Sequence, residues 1–191
     1  MGAKYQSFLI AMGGNMQSKV GSPTETLRAA VEELSRNSAK VSQVSRFYST
    51  PCFPAGVGPD YVNAAAEIGF DGGPKAVLAL LHRVEALFAR ARDKRWGQRT
   101  LDLDLLAAGD LVLPDAETQA RWRDLPLDVQ MREAPEEVLV PHPRLQDRAF
   151  VLVPLAEIAP DWVHPLLGRN VVELRDALDP GDLAAVRPIE P

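Results

Sequence analysis

At 191 residues, 46% hydrophobic and 25% charged, the chain has material for one good core and reads as a single globular domain. A net charge of −5 and a pI near 5.3 exclude a molecule-wide nucleic-acid-binding surface. A single cysteine, Cys52, excludes an intrachain disulfide and suits a reducing cytoplasm, and the apolar run 8–12 is too short for a signal peptide or membrane span.

Residues 5–12 form a short apolar strand candidate, followed by Gly13-Gly14-Asn15, read as a turn that lacks the G-x-G-x-x-G spacing. No Walker A sequence occurs, which argues against a P-loop kinase. Ser22-Pro23-Thr24-Glu25 combines an N-cap serine, proline at the first helical position and glutamate three residues after the cap. A helix starts there, with Leu27, Ala30, Val31 and Leu34 on one face, and Asn37-Ser38 ends it. Residues 41–50 read as a second strand, stopped by Pro51, and 51–60 as a proline- and glycine-punctuated loop suited to a lid.

From Tyr61 the sequence alternates, with Val62, Ala64, Ala66, Ile68 and Phe70 facing one way and Tyr61, Asn63, Ala65 and Glu67 the other. An aromatic beside an amide can read a flat heterocycle, although the same pair also suits a solvated strand face. Pro74 opens a second helix ending near Arg92, with Val77, Leu80, Leu81, Val84, Leu87 and Phe88 as its apolar stripe and His82 and Glu85 on its polar side.

In residues 101–105, Leu101, Leu103 and Leu105 alternate with Asp102 and Asp104, so both carboxylates leave one face of a strand, roughly 6.5–7 Å apart along the backbone. That spacing lets them converge on a divalent cation, and oxygen donors without a thiolate favour magnesium. L-D-L-D-L alone is also the pattern of a half-solvated strand. Upstream, Arg83, Arg90, Arg92, Lys94, Arg95 and Arg99 against Glu85 and Asp93 make a local charge of +4, leaving −9 for the rest of the chain. A cationic patch beside two metal-ligating acids suits a magnesium-polyphosphate substrate, while Arg90 and Arg92 also fit as complements to a helix C-terminus.

Ala108-Gly109-Asp110 reads as a turn into a return strand at 111–113. Residues 114–137 hold seven acids and three arginines with little hydrophobic periodicity, the expected character of an acidic surface insertion. Pro141-His142-Pro143-Arg144 is a rigid segment carrying an imidazole that can donate to phosphate or simply lie in a loop, followed by Arg148 and the apolar run 150–155. Asn170 with Glu173 starts a last helix to about residue 178, and the proline-rich end is expected to fray. The order β-α-β-β-α-β predicts an α+β fold, a ferredoxin-like α/β/α sandwich around a mainly antiparallel sheet with one face left free for ligands. The domain is expected to span 1–180, with 181–191 as a tail.

Five segments resemble, in family order, the 6-hydroxymethyl-7,8-dihydropterin pyrophosphokinases of folate biosynthesis. They are Gly13-Gly14-Asn15; Phe47-Tyr48 through Thr50-Pro51; Asp60-Tyr61-Val62-Asn63-Ala64; Arg95-Trp96-Gly97-Gln98-Arg99-Thr100-Leu101-Asp102-Leu103-Asp104; and Pro141-His142-Pro143-Arg144 with Arg148, Phe150 and Pro154-Leu155. The resemblance implies transfer of pyrophosphate from ATP to the hydroxymethyl group of the dihydropterin, releasing AMP. It implies two Mg2+ ions on Asp102 and Asp104, and catalytic roles for Arg90 and Arg92 beside the two aspartates. ATP positions would be His82, Glu85, Arg90, Arg92, Trp96, Arg99, His142 and Arg148. Pterin positions would be Thr50, Pro51, Phe53, Tyr61, Asn63 and Phe150, with Phe53 and Phe150 closing on the ring from loop and strand.

The chain departs from that family in His82, where glutamine is frequent, in Cys52, where proline is frequent, in a shorter loop between Arg92 and Trp96, and in the insertion after Pro114. A cytoplasmic monomer acting on small molecules, without nucleic acid or membrane, is expected. The competing readings are an RNA-binding module of the same fold, opposed by the central aspartates, and a magnesium-dependent kinase that transfers a single phosphoryl group.

Overall fold

The computed structural model describes residues 5–52, 58–88, 100–126, 129, 132, 133 and 135–190. Its strands are β1 (Gln6–Gly14), β2 (Lys40–Val44), β3 (Tyr48–Thr50), β4 (Tyr61–Phe70), β5 (Asp102–Ala107) and β6 (Arg187–Pro188). Its helices are α1 (Pro23–Arg36), α2 (Pro74–Phe88), α3 (Ala116–Asp124), α4 (Ala149–Ile158), α5 (Val171–Arg175) and α6 (Pro180–Ala185). The sheet runs β5-β1-β4-β3-β6, every pair is antiparallel, and β2 lies beside β3 on the same edge of β4. Taking β2 and β3 as one interrupted strand, this is the split β-α-β unit expected from the sequence.

Local chemistry explains the elements. At α1 the Ser22 Oγ accepts from the Glu25 N–H at 3.3 Å while the Ser22 N–H donates to Glu25 Oε2 at 2.7 Å, a complete capping box. Residues 41–50 do not form one strand, because Ser45 interrupts them. Its N–H donates to the Ala65 carbonyl at 2.9 Å, while its hydroxyl accepts from the Ala65 N–H at 2.9 Å in place of a backbone carbonyl. β1 continues through Gly13 and Gly14, so the expected Gly-Gly turn is strand.

Strand parity divides the protein. Phe8, Ile10, Met12, Ala64, Ile68, Leu103 and Leu105 face α1 and α2 and pack with Leu27, Leu34, Leu80, Leu81 and Val84. Each fully buried aliphatic or phenyl side chain among them contributes about 1.5–3 kcal/mol. Leu87, assigned to the α2 stripe, is instead exposed, since its position falls past the edge of the contact. The opposite face is only partly free. Leu9, Ala65, Leu106 and Ala107 are covered by Val151, Leu152 and Leu155 of α4 and by Val171 and Leu174 of α5. Residues 150–155 thus form a helix, and their uniform apolarity follows from burial between sheet and α5. A second tie comes from Glu157, which accepts from the Arg46 N–H at 2.8 Å, from Arg46 Nε at 2.6 Å and from the Tyr48 hydroxyl at 2.5 Å.

Two further expectations are corrected, and the insertion proves to hold a helix. Leu113 makes one antiparallel bridge to Val140 instead of a return strand, with N···O distances of 2.8 and 3.3 Å. The acidic insertion contains α3, started by Asp115, whose carboxylate accepts from the Thr118 N–H at 2.8 Å. Among the described residues the C-terminal end is tied down instead of loose: Asp179 caps α6, β6 pairs with β3, and the Ile189 N–H donates to the Phe47 carbonyl at 2.8 Å. Among the described residues no helix is long and apolar enough to cross a membrane.

Candidate active site

The uncovered half of the α4-side face gathers polar and charged side chains. Gly13 on the central β1 pairs with Asn63 of β4 on one side and with Asp102 of β5 on the other, and Ala11 pairs with Asp104. Asp102, Asp104, Tyr61 and Asn63 therefore share one face over a floor of glycine and alanine. A Cβ at Gly13 would come within 2.9 Å of Asn63 Oδ1, so glycine is needed for the amide to lie across the strand. Asn63 Nδ2 donates to Thr50 Oγ1 at 2.7 Å within the buried layer, fixing the amide's orientation.

This surface floors a cavity of about 600 Å³ lined by Gly13, Thr50, Pro51, Cys52, Tyr61, Asn63, Asp102 and Asp104. Its far wall consists of Asp147 to Phe150 at the start of α4 together with Asp182, Ala185 and Val186. Phe150 reaches the cavity from the first turn of a helix, not from a strand, and is 40% exposed. The guanidinium of Arg148 lies 5.7 Å from its ring centroid and 3.7 Å from Asp104 Oδ2. Burial draws the Arg148 pKa below its ordinary value, with the Asp104 carboxylate opposing that shift, and an arginine so placed stays cationic.

A second cavity, about 390 Å³, shares Asp104 and Arg148 with the first and adds His142, Arg144, Leu78, Leu105 and Trp122. The His142 N–H donates to the Leu106 carbonyl at 2.8 Å, and its Nδ1 accepts from the Arg144 N–H at 3.0 Å. Burial, then the charges of Arg148 and Arg144, push its pKa down to about 3. It is a neutral Nε2–H donor at physiological pH. Glu85 of α2 accepts from the Leu103 N–H at 2.7 Å, bracing the strand edge between the two aspartates. His82 is exposed on α2 and lines neither cavity.

Asp102 and Asp104 offer oxygen donors only, and among the described residues no group of three or more His, Cys, Asp or Glu could hold a metal. Two half-buried carboxylates at i and i+2 fit magnesium, which takes one or two protein carboxylates and completes its shell with substrate phosphates and water.

The family model described as 7,8-dihydro-6-hydroxymethylpterin-pyrophosphokinase (HPPK) matches residues 9–160. The chain belongs to this family. Its activity is that of a pyrophosphokinase in folate biosynthesis, a transferase of the kinase type. A 2-amino-4-hydroxy-6-hydroxymethyldihydropteridine pyrophosphokinase from Synechocystis is 34% identical over 96% of this chain and 80% of its own length. One from Pseudomonas aeruginosa is 36% identical over 88% of this chain and 90% of its own length. The wild-type HPPK-DHPS of Plasmodium falciparum shares the fold, with a TM-score of 0.64 at 14% identity over 91% of this chain, which spans 44% of that longer chain.

Of the pyrophosphokinase positions expected from sequence, the structure brings Thr50, Pro51, Tyr61, Asn63, Asp102, Asp104, Arg148 and Phe150 around the first cavity and His142 into the second. Phe53, Arg90, Arg92, Trp96 and Arg99 lie outside the described residues. Sequence reasoning missed Asp182 and Val186, although Asp179-Pro180 carries the N-cap and first-turn proline that signal a helix. It also missed Trp122, for which the acidic composition of 114–137 gave no apolar period.

Proposed function

We propose that the first cavity takes the 6-hydroxymethyl-7,8-dihydropterin, the second takes ATP, and that Asp102 and Asp104 hold Mg2+ where the two cavities join. The observation that carries this reading is the sharing of Asp104 and Arg148 by both cavities. Two substrates seated so would meet beside one carboxylate pair and one arginine. Bound there, magnesium would neutralise phosphate charge and lower the pKa of the attacking hydroxyl.

Asn63 and Tyr61 offer the amide and phenol that hydrogen-bond the edge of a flat heterocycle, and Phe150 supplies a wall for its ring. Arg148 meets phosphate oxygens while its charge is already balanced by Asp104. His142, held neutral, donates from Nε2 without adding charge. The hydroxymethyl oxygen forms a bond to the β-phosphorus and the bond from that phosphorus to the α,β-bridging oxygen breaks. AMP leaves, and the hydroxyl proton passes to solvent. The rate gain is assigned to positioning and charge, with Arg90, Arg92, Trp96 and Arg99 as further phosphate and nucleotide contacts. We also place the protein in the cytoplasm as a monomer, consistent with a lone cysteine and small-molecule substrates.

Identification of the nucleotide product tests the reading. With ATP, magnesium and the dihydropterin, AMP is expected in step with the pterin pyrophosphate. Accumulation of ADP would instead support a single phosphoryl transfer.

A further inference from the structure

The split β-α-β unit ends with β5, so α3 is an addition to it. Its one wholly buried side chain is polar. Gln119 is 0% exposed, and its Nε2 donates to the Pro141 carbonyl at 3.2 Å, directly before His142. That bond fastens α3 to the Pro-His-Pro-Arg turn, whose His142 is in turn tied to Leu106 of β5. One turn along α3 from Gln119, Trp122 lines the second cavity.

The side chains lining that cavity are of two chemical kinds. His142, Arg144 and Arg148 go with Asp104, through which it joins the first cavity. Trp122, Leu78, Leu105 and Val138 are apolar, and Glu133, Glu136 and Glu137 are acidic. Phosphates are repelled by those glutamates and drawn to the arginines. A nucleotide with its triphosphate at the Asp104–Arg148 junction would have these apolar side chains left for its base.

We infer that α3 is a wall of the nucleotide site, with Trp122 as the aromatic seat for the purine base and Gln119 as the positioning residue that locks this wall to the His142 turn. The inference rests on the assignment of the second cavity to ATP. It adds a recognition element that the β-α-β-β-α-β scaffold does not itself contain.

Calorimetric titration of the full chain with magnesium and two probes, α,β-methylene-ATP and inorganic tripolyphosphate, tests it. Trp122→Ala is expected to weaken the nucleotide analogue about tenfold or more, the loss typical of removing one base–aromatic contact. Tripolyphosphate, which has no base, is expected to bind the variant as it binds the parent. Trp122→Phe is expected to restore most of the analogue's affinity, whereas Trp122→Leu, which keeps apolar volume without a flat ring, is not. Equal weakening of both probes in Trp122→Ala would make the residue structural and overturn the inference. So would full affinity for the analogue in Trp122→Leu, which also decides the matter if the alanine variant does not fold. Failure of the parent protein to bind the analogue at all would instead overturn the assignment of the cavity to ATP.

Discussion

The two halves of the α4-side sheet face are built from the same strands, β1, β4 and β5, and come to opposite ends. At one half Leu9, Ala65, Leu106 and Ala107 are buried beneath α4, and at the other Gly13, Asn63, Asp102 and Asp104 floor a cavity. Along β5 the change takes one step of two residues, from Leu106 at 1% exposure to Asp104, whose side chain is 37% exposed. A helix seats where the strands present apolar side chains, because taking a carboxylate out of water costs several kcal/mol even when a cation accompanies it. The acidic half is thus kept open by its own residues, and the floor there is small so that Asn63 and the aspartates can lie close to the backbone.

Substitutions in the two halves should separate activity from stability. Asp102→Ala or Asp104→Ala is expected to lower turnover by ~10³-fold or more, the loss associated with a catalytic metal site, while the thermal unfolding curve stays that of the parent. Near-normal turnover at ordinary magnesium would erase the distinction between the halves. In the covered half, Leu152→Ala is expected to cost about 2–5 kcal/mol in denaturant unfolding, since Leu152 is wholly buried, with KM for both substrates unchanged. At the boundary, Gly13→Ala forces its Cβ against Asn63 Oδ1. It is expected to raise KM for the pterin more than KM for ATP and to cost about 1–3 kcal/mol of stability.

Two smaller effects sharpen the picture. Glu85→Ala leaves the Leu103 N–H without its acceptor, so kcat should fall about tenfold as β5 loosens, whereas Glu85→Gln, which retains an acceptor, should recover most of it. The last concerns His164, wholly buried in the loop between α4 and α5, where its Nδ1 accepts from the Leu166 and Leu167 N–H groups. Burial, then the nearby Arg123 charge, lowers its pKa to about 4. The unfolded chain takes a proton on this residue near pH 6.5 that the folded chain refuses until about pH 4. Stability contributed by neutral His164 is therefore present above pH 6.5 and lost progressively as pH falls from 6.5 toward 4. Denaturation midpoints across that range should fall less steeply in His164→Asn, which keeps an acceptor but does not titrate.

The sequence carried the scaffold because its signals are local. Ser22 and Glu25 cap α1 by a contact three residues long, and the alternation of residues 61–70 and 101–105 sorts side chains to faces without reference to anything distant. Asp102, Asp104 and Asn63 could be placed on their faces in that way. What local pattern does not carry is which strand lies beside which, so the register joining Asn63, Gly13 and Asp102 emerges only from the sheet. The same limit hid α4, whose even apolarity has no period because it is buried between sheet and α5, and β6, whose two residues matter only through their pairing with β3. Trp122 was illegible for a third reason. A short helix with few apolar residues shows no apolar stripe, and the wall proposed for it depends on where Gln119 anchors it.

In the proposed reading, Asp102 and Asp104 would join the two cavities through magnesium. Affinity for α,β-methylene-ATP, measured with and without magnesium in the parent and in an Asp102→Asn, Asp104→Asn double variant, tests it most directly, alongside affinity for 6-hydroxymethylpterin. Magnesium should strengthen nucleotide binding in the parent and leave it unchanged in the double variant, with pterin binding preserved in both. A magnesium increment of parental size in the double variant would place the metal on other residues.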